Sequence, residues 1–516
     1  MENQADYLTR AREFLAISSQ FRLGDLPTEQ PHPLTRELSS LAKDNLPKAL
    51  SILDRIDCNA LETVLKKSKL IELLAEKIQA TISSGRNIYL CGCGATGRLS
   101  LTCETLWRRL YKGTHLEDRV RSFMAGGDVA LIRSIENFED HPEFGARQLE
   151  DAGFGDGDLL ISTTEGGETP FVIGATERAS VTSSNKPLFL YCNPDEILVK
   201  CAERSARVIN NPQIDKINLY TGPMALAGST RMQASTVLMA AVGLALLNFM
   251  EPEKIKEEIE RLLLFRQNLD CSFLEDLIKK ESQYYESGDY LLYETEIPLA
   301  ITILTDTTER SPTFSMIPFE NNFDKSDHTS LCYLYIPEAH DSLSAWNALL
   351  CRNPRPLCWE GFEKIAGKNR LEGFDFSSKV LVRRSLWLPN ALHHRFRIDH
   401  TGNKLIFQLE NIHKEIDTHS LTDFDVHLSL KMILNAHSTL VMGRLGRYEG
   451  NLMTWVRPSN NKLIDRTIRY AGHLLEIMGI HKSYDTIAES CFKLMDNTAC
   501  DRPLVNAIVK DLTGNC

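Results

Sequence analysis

Short apolar runs alternate with helical patterns between residues 87 and 209, and this alternation constrains the fold more than any other feature. A strand followed by a helix and a further strand packs into a parallel sheet with helices on both faces. The sequence therefore predicts a doubly wound α/β domain. The predicted strands are residues 87–91, 121–125, 158–162, 187–191 and 207–209.

A second, more irregular α/β region follows a long helical stretch over residues 229–268, which Pro252 interrupts. The segment HRFRIDHTGNKLIFQL (394–409) predicts a hairpin that turns at Thr401-Gly402-Asn403. Helical periodicity returns near Leu428. The other predicted strands of this region are residues 299–304, 331–336 and 379–382.

These patterns predict two doubly wound parallel-sheet domains followed by an all-helical C-terminal lid. A chain of 516 residues is too long for one core, which agrees with several domains. The predicted divisions are an N-terminal arm with helices (1–60), a first α/β domain (61–250), a divergent second α/β domain (251–425) and the lid (426–516).

Composition excludes several partner classes. The formal net charge of −11 makes the chain a poor electrostatic match for nucleic acid or for an anionic membrane surface. The most apolar run, residues 237–250, is shorter than the roughly 20 residues that a membrane helix needs. We therefore expect neither nucleic acid nor membrane as a partner.

The 13 cysteines are scattered, with no C-x-x-C pair and no histidine spacing typical of zinc. This pattern indicates reduced thiols, no metal site and no cofactor. The N-terminus MENQADYLTRAREF shows no secretory signal. We expect a cytoplasmic protein, although secretion that needs no signal is compatible with the same sequence.

The segment YLCGCGATGRL (89–99) carries the sharpest local signal, because a strand leads through glycines into a helix. Bare backbone and a helix N-terminus together favour binding of a phosphate ester. Gly92, Gly94 and Gly97 also match a dinucleotide pattern, but no ribose-binding acid follows about 20 residues later. A purely structural turn is the third alternative. The predicted binding residues are Gly94, Ala95, Thr96 and Gly97.

Two further segments predict loops at the same edge of the sheet. In DLLISTTEGGETP (158–170) a strand runs into a loop that offers Thr164, Glu165 and Gly166. In GPMALAGSTRM (222–232), Ser229 or Thr230 is predicted to cap the next helix, and Arg231 to bind an anion or a carboxylate partner. Ordinary βα turns are the alternative for the loops of segments 89–99 and 158–170.

These motifs, in the order GCGATGR, AGGD…IENFED, ISTTEGGETPF, CNP and GPMALAGSTRM, resemble the sugar-isomerase-type (SIS) phosphosugar-binding domain. More narrowly, the chain resembles the group that unites N-acetylmuramic acid 6-phosphate etherases with the glucokinase regulatory protein. LPTEQPHPLT (26–35) and KMILNAHST (431–439) fit the same group. A long insert before the C-terminal helices gives a layout similar to that of the regulatory protein, which has a second SIS domain there.

The resemblance implies roles for individual residues. LTDTTERSPTF (304–314) corresponds to the first loop of the second SIS domain, although it has no glycine. We therefore expect that half to provide walls rather than a phosphate site of its own. The implied ligand groups are the Thr96 and Thr164 hydroxyls, the acids Glu136 and Glu309, and the ammonium group of Lys431.

The acid that etherases use to move protons is missing from its expected place. That acid lies eight residues after the loop arginine, and here this position is Leu106. The nearest acid, Glu104, is rotated by about 200° around a helix and should face away from the ligand. No catalytic residue is assigned, and Glu136 is the one candidate.

A second departure concerns Glu165 and Glu168, where related proteins carry small or basic residues. Two carboxylates near a phosphate repel it unless they point outward or meet a cation or an amine. This feature leaves the identity of the ligand open.

The sequence thus favours a sugar-phosphate-binding regulatory protein that senses a phosphorylated hexose or amino sugar, with a hexokinase-type enzyme as the partner that the resemblance implies. One alternative is an etherase-type lyase that uses Glu136 with a repositioned Glu104. An aldose–ketose isomerase is a third hypothesis. The sequence does not name the sugar. A tandem chain can complete its site alone, so a monomer is preferred.

Overall fold

The computed structural model describes residues 2–135, 138–324, 329–496 and 502–514, with side chains from Asp6 onward. The N-terminal part is helical, and Asn45 caps its longest helix by accepting a hydrogen bond from the Lys48 N–H. A break at Lys67 separates the third helix from the fourth. The helices are α1 (Glu2–Ile17), α2 (Leu38–Asp44), α3 (Leu46–Lys66) and α4 (Ser68–Ser83).

The first α/β unit follows directly. Its elements are β1 (Ile88–Gly92), α5 (Ala95–Leu110), β2 (Val120–Met124), α6 (Pro142–Asp151), β3 (Leu159–Thr163), α7 (Pro170–Thr182), β4 (Leu188–Tyr191), α8 (Asp195–Cys201), α9 (Glu203–Ile209) and β5 (Asp215–Asn218).

The five strands form one parallel sheet in the order β2-β1-β3-β4-β5. β1 and β3 are buried along their whole length, which explains their continuous apolar runs. The strand order reverses direction between β1 and β3, and ligands bind open α/β sheets outside the carboxyl ends of the strands at such a point. The loops after β1 and β3 therefore flank the expected binding crevice.

One predicted strand of this sheet is wrong. Residues 207–209 end helix α9, and the fifth strand is β5, which follows six residues later. Only Ile217 of β5 is buried, because β5 is the edge strand. A short edge strand with one buried apolar residue gives little sequence signal.

The second part contains a second sheet surrounded by helices. Its elements are α10 (Gln233–Leu247), α11 (Ile255–Asn268), α12 (Leu274–Glu286), β6 (Tyr290–Glu294), α13 (Ile297–Phe314), β7 (Cys332–Tyr335), α14 (Ser342–Leu350), α15 (Glu363–Ala366), α16 (Lys368–Glu372), α17 (Lys379–Trp387), β8 (His393–Thr401), β9 (Lys404–Leu409) and β10 (Ile412–Asp417).

The second sheet is mixed, with the order β10-β9-β8-β6-β7. β6 pairs in parallel with β7 and β8, and an antiparallel meander of β8, β9 and β10 completes the sheet. The predicted hairpin over residues 394–409 is confirmed as β8 and β9, in which Thr401 pairs with Lys404. The predicted strand at 331–336 is confirmed as β7.

Two other predicted strands of this part are wrong. Residues 299–304 lie in α13, and residues 379–382 begin α17. A short apolar run rich in β-branched residues looks the same in a buried helix and in a buried strand. In α13 the hydroxyls of Thr305, Thr307 and Thr308 donate to carbonyl groups one turn earlier. The Thr302 hydroxyl, inside the run, instead lies 2.7 Å from Nδ1 of His427.

The C-terminal part is helical, and its first helix is buried along nearly its whole length. Thr422 and Asp425 form a capping box at the start of this helix, which packs against α10, α12 and α13. The last three helices pack against one another. The helices are α18 (Asp423–Arg444), α19 (Asn461–Ile477), α20 (Tyr484–Met495) and α21 (Leu504–Thr513).

The fold class is therefore α/β, with two five-stranded sheets and C-terminal helices, as predicted. The division at residues 60, 250 and 425 stays a prediction. Among the residues described, no helix combines the length and apolar character needed to cross a membrane.

Candidate functional site

The loop between β1 and α5 turns at Gly94, whose φ of 56° lies in the region that favours glycine. A Cβ built on Gly94 would meet no atom within 4 Å, so this position faces open space. A Cβ on Gly92 would lie 2.3 Å from the Thr96 carbonyl carbon, so the two ends of the loop approach too closely for any side chain. The backbone is thus bare where α5, with its N-terminal partial positive charge, begins at Ala95.

The Thr96 hydroxyl closes this loop. Its Oγ1 donates to the Cys93 carbonyl at 2.9 Å and accepts from the Cys93 N–H at 3.0 Å. Thr96 is only 1% exposed. The hydroxyl therefore holds the loop in shape, and its role toward a phosphate stays a prediction.

The loop after β3 is organised by Thr164. Its hydroxyl lies 3.0 Å from the Thr169 hydroxyl and accepts from the Gly167 N–H at 3.2 Å. The Gly166 carbonyl accepts from the Asn193 side chain at 2.9 Å. These bonds fix the backbone on which two glutamates, Glu165 and Glu168, point in different directions.

Glu168 meets two cations. Its carboxylate accepts from Arg204 and from Lys462 on α19, each at 2.6 Å. Burial alone would raise the pKa of Glu168, but Lys462 and Arg204 outweigh it and hold the pKa at about 2. Of the alternatives that the sequence left open, meeting a cation is the one realised. Glu168 fastens the C-terminal helices to this loop.

Glu165 is different, because the described residues leave one of its oxygens without a partner. The side chain is 8% exposed, and Oε1 is buried with no hydrogen-bond partner in the part of the chain that is described. Burial, and then the negative charge of Glu309, raise the pKa of Glu165 to about 7. Lys462 and a hydrogen bond from Thr230 act in the opposite direction. Thr230 of the third predicted segment is thereby brought to Glu165.

Glu309 lies on α13 and not in a loop, so the expected loop over residues 304–314 is wrong. The side chain is 4% exposed, and its Oε2 is buried without a hydrogen-bond partner within the described ranges. Burial raises the pKa of Glu309 against the positive charges of Arg98, Arg231 and Lys431. Glu165 and Glu309 are thus two buried carboxyl groups that interact electrostatically with each other.

Arg231 takes the carboxylate partner that the sequence allowed. Its Nη1 donates to Asp306 at 3.2 Å, and its Nη2 donates to Ser438 and Thr439 at 2.8 Å. Burial lowers the pKa of Arg231, and Asp306 opposes this. The guanidinium contributes positive charge to the site while most of its donors are engaged elsewhere.

Lys431 on α18 is engaged in the same way. Its ammonium group donates to the Arg231 carbonyl at 2.8 Å, to Thr236 at 2.9 Å and to Asn435 at 3.0 Å. Burial lowers the pKa of Lys431 to about 8, against the charges of Glu309 and Asp57. All three N–H donors are therefore used within the protein, and direct ligand contact by Lys431 stays a prediction.

The predicted helix cap by Ser229 or Thr230 is wrong. The described contacts of α10 include no side-chain cap, and its N-terminal flank is Met232. Instead the Ser235 N–H donates to the Thr230 carbonyl at 2.9 Å. Ser229 is 7% exposed, and its N–H donates to the Leu226 carbonyl. The Ser229 and Thr230 hydroxyls are thus left for other roles.

The position expected for an etherase acid is apolar. Leu106 is 3% exposed and packs in the core between the first sheet and its helices. Glu104 accepts from Ser122 at 2.5 Å and from Arg352 at 3.0 Å. Burial alone would raise the pKa of Glu104, but Arg352 and Arg355 hold it at about 2. Glu104 is therefore a fixed anion that is poorly suited to donating a proton.

Glu136 lies outside the described residues. Glu139 of the same IENFED segment is described, and its carboxylate accepts from Asn460 at 2.9 Å and lies 3.6 Å from the Cys93 thiol. Sequence reasoning missed Glu139. The signal that would have found it is the second glutamate of the motif, three residues after Glu136.

The N-terminal TEQ segment supports the site from outside. The Thr28 hydroxyl accepts from the Asn193 side chain at 2.8 Å, and Glu29 accepts from Arg466 at 2.6 Å and Arg469 at 3.0 Å. Burial opposes ionisation of Glu29, but Arg466 and Arg469 hold its pKa at about 2. The segment thus ties the first sheet to α19. Among the described residues, no cluster of three or more His, Cys, Asp or Glu side chains is arranged to hold a metal.

Comparison with known proteins gives a family. A family model for the N-terminal SIS domain of the glucokinase regulatory protein matches residues 69–180. An N-acetylmuramic acid 6-phosphate etherase of Rippkaea orientalis is 33% identical over 224 residues, which cover 43% of this chain and 67% of the etherase. N-acetylmuramic acid 6-phosphate etherase 1 of Bacillus licheniformis is 28% identical over 214 residues, covering 42% and 65%. The chain thus spans about two thirds of the length of these relatives.

Solved structures are similar to this chain at lower sequence identity. The C-terminal domain of glucosamine-fructose-6-phosphate aminotransferase from Francisella tularensis has a TM-score of 0.40 at 12% identity, covering 77% of this chain and 95% of that one. Tagatose-6-phosphate ketose/aldose isomerase from Escherichia coli has a TM-score of 0.41 at 12% identity, covering 78% and 94%. The family match and the 33% identical etherase confirm the resemblance of the motifs: the chain belongs to the SIS family of phosphosugar-binding domains, in the group that contains the N-acetylmuramic acid 6-phosphate etherases.

Proposed function

We propose that this chain is a sugar-phosphate-binding regulatory protein, which binds a phosphorylated hexose or amino sugar at the carboxyl ends of β1 and β3. The observation that carries the proposal is the bare backbone at Gly94. Within the described ranges, the buried carboxyl groups of Glu165 and Glu309 each also keep one oxygen without a hydrogen-bond partner. A helix N-terminus suits the phosphate, and buried acceptors suit the donors of a sugar.

In this proposal the phosphate lies over the residues at the start of α5, where backbone N–H groups and the helix dipole favour an anion. Thr164, Gly166 and Ser229 line the crevice beside the sugar. Arg231 and Lys431 attract the anion through their charge. The proposed phosphate-binding residues are Gly94, Ala95, Thr96 and Gly97.

The proposal assigns binding and not catalysis, because, among the residues that the structure describes, the position of the etherase acid is held by Leu106, which cannot transfer a proton. General acid–base catalysis requires a group that can change protonation within reach of the reacting atoms. Leu106 is apolar, and Glu104 is held as an anion by Arg352. These two observations support a sensor.

A regulatory role needs the site to be connected to the rest of the molecule. Arg231 contacts Asp306, Asp306 contacts Arg310, and Arg310 contacts Glu281 on α12 at 2.6 Å. This buried chain leads from the first sheet into the second part of the protein. A ligand that shifts this chain of ion pairs would change the surface to which a partner protein binds. The proposed partner is a hexokinase-type enzyme.

The proposal includes a monomer in the cytoplasm. The cysteines that the structure describes are free thiols, which fits a reducing compartment. Both sheets and α18 belong to one chain, which supports a site that needs no second copy.

Thermal unfolding with a panel of hexose and hexosamine phosphates tests the proposal. A ligand at 100 times its Kd stabilises the folded state by about 2.7 kcal/mol, so a binder raises the Tm measurably. The corresponding unphosphorylated sugars serve as the control and should give no shift. An unchanged Tm across the panel would contradict the proposal.

An etherase-type lyase is the second candidate, and two observations favour it. Glu139 lies 3.6 Å from the Cys93 thiol of the first loop, and the Glu165 carboxyl has a pKa of about 7, suited to proton transfer near neutral pH. Incubation of the pure protein with N-acetylmuramic acid 6-phosphate, followed by a lactate assay, tests it. Sustained lactate release that is abolished by Glu136→Gln or Glu139→Gln would replace the binding proposal.

A further inference from the structure

Two buried acceptors in this crevice have no donor within the described structure. Glu165 Oε1, on the loop after β3, and Glu309 Oε2, on α13, are both inaccessible to solvent and without a hydrogen bond among the described residues. Both side chains are more than nine-tenths buried. Burying a carboxyl oxygen without a donor is costly, so native proteins rarely leave one that way. A bound ligand that brings donors explains both.

The nearby cations do not supply those donors. Lys431 donates its three N–H groups to the Arg231 carbonyl, Thr236 and Asn435. Lys462 pairs with Glu168 at 2.6 Å. Arg231 pairs with Asp306. Their charges reach Glu165 and Glu309, but their hydrogen bonds are directed elsewhere.

A sugar hydroxyl and an amine would meet this pair differently. A hydroxyl donates one hydrogen bond and leaves the repulsion between the two carboxylates in place. An ammonium group donates three hydrogen bonds and carries the charge that offsets this repulsion in a region of low dielectric constant. The paired acids therefore favour an amine over a hydroxyl.

We infer that the crevice takes an amino sugar phosphate with a free amine, whose ammonium group lies between the carboxylates of Glu165 and Glu309 while its phosphate lies at the start of α5. The inference rests on the proposed function and narrows its ligand class. The crevice then has an anion-binding end at Gly94 and a cation-binding wall, which matches a zwitterionic ligand.

The protonation of the pair agrees with this assignment. Burial and the charge of Glu309 raise the pKa of Glu165 to about 7, with Lys462 and Thr230 opposing. Burial also raises the pKa of Glu309, whose facing charges are Arg98, Arg231, Lys431 and Asp306. Without ligand, Glu165 thus carries a proton in part of the molecules near pH 7. An arriving ammonium group needs the ionised form, so that proton is released to the buffer.

Isothermal titration at pH 7, in two buffers of different ionisation enthalpy, tests the inference. The probes are glucosamine 6-phosphate, glucose 6-phosphate and N-acetylglucosamine 6-phosphate. We expect glucosamine 6-phosphate to bind at least about tenfold more tightly than the other two, because it alone carries an ammonium group. We also expect its binding to release more protons than the binding of the other two.

Glu165→Gln keeps the shape of the side chain and removes its charge. It should abolish the preference for the amine and the extra proton release, so that glucosamine 6-phosphate and glucose 6-phosphate bind the variant with similar affinity. Glu196→Gln, at an exposed position on α8, is the matched control and should behave like the wild type.

The possible outcomes separate the inference from the proposed function. Equal affinity for all three sugar phosphates would overturn the inference and leave the proposed function standing. Absence of binding by all three, and by the wider panel, would overturn both. If Glu165→Gln does not fold, the comparison of amine with N-acetyl amine in the wild type still decides.

Discussion

Arg231 and Asp306 meet in the interior of the protein, with Nη1 of the arginine 3.2 Å from Oδ1 of the aspartate and both side chains at most 2% exposed. Arg231 lies just before α10, and Asp306 lies on α13. Asp306 also accepts from Arg310 at 3.0 Å and from Ser438 of α18 at 2.8 Å. One carboxylate thus joins the proposed binding crevice, the second part and the C-terminal helices.

Replacing Asp306 by asparagine should lower the free energy of unfolding by about 3 kcal/mol, because Arg231 and Arg310 lose a counter-charge while they stay buried. Urea denaturation followed by circular dichroism measures this. Asp276→Asn on α12, where the carboxylate is 76% exposed, is the control and should change stability by less than about 0.5 kcal/mol. Equal denaturation midpoints for the two variants would refute the role given to Asp306.

Lys462→Met should loosen α19 from the first sheet. The lysine donates to Glu168 at 2.6 Å, and its removal leaves that buried carboxylate with Arg204 as its remaining cation. We expect amide hydrogen exchange in α19 to accelerate by about tenfold or more, which corresponds to a local loss of about 1.4 kcal/mol. Lys482→Met, at an exposed position, is the control. Unchanged exchange in α19 would mean that apolar packing alone holds the helix.

Acid should destabilise the protein through three buried carboxylates. Burial alone would raise the pKa values of Glu29, Glu104 and Glu168, but paired arginines and Lys462 hold all three at about 2. A carboxyl group whose pKa is lower in the folded state contributes stability above its unfolded pKa, and this contribution is lost as pH falls toward the folded pKa. Each group contributes up to about 3 kcal/mol at neutral pH.

We therefore expect the Tm to fall steeply between pH 5 and pH 2, as calorimetry would measure. Glu29→Gln should be less stable than the wild type at pH 7 and should lose less Tm over the same acid range, because the variant has one fewer group to protonate. Parallel pH profiles of the two proteins would contradict the assignment.

The first sheet and its loops were predictable because their signals are local. A buried strand, closely spaced glycines and a helix start occupy the single segment 89–99. The helix rotation that directs Glu104 away from the position of Leu106 is likewise a property of one element.

What the sequence could not give depends on contacts between distant residues. Lys462 and Glu168 are 294 residues apart, so the sequence could show a carboxylate that needs a cation but not which cation. The local sequence of the run at 299–304 predicts a strand. The run is a buried helix because α13 packs between α18 and the second sheet, and no local pattern shows that packing. The orphaned oxygens of Glu165 and Glu309 likewise exist only in the packed structure.

Gly94→Ala should abolish the rise in Tm that a sugar phosphate produces, and should itself lower stability by roughly 1–3 kcal/mol. The φ of 56° strains any side chain at this position, and the added methyl group would project into the open space where the proposal places the phosphate. Gly113→Ala is the control, because its φ of 74° and its free surroundings put an added methyl group on a positive-φ glycine away from the crevice. If both variants retain the ligand-induced shift measured by thermal unfolding, the phosphate does not bind at the start of α5, and the bare backbone there serves only to pack Gly92 against Thr96.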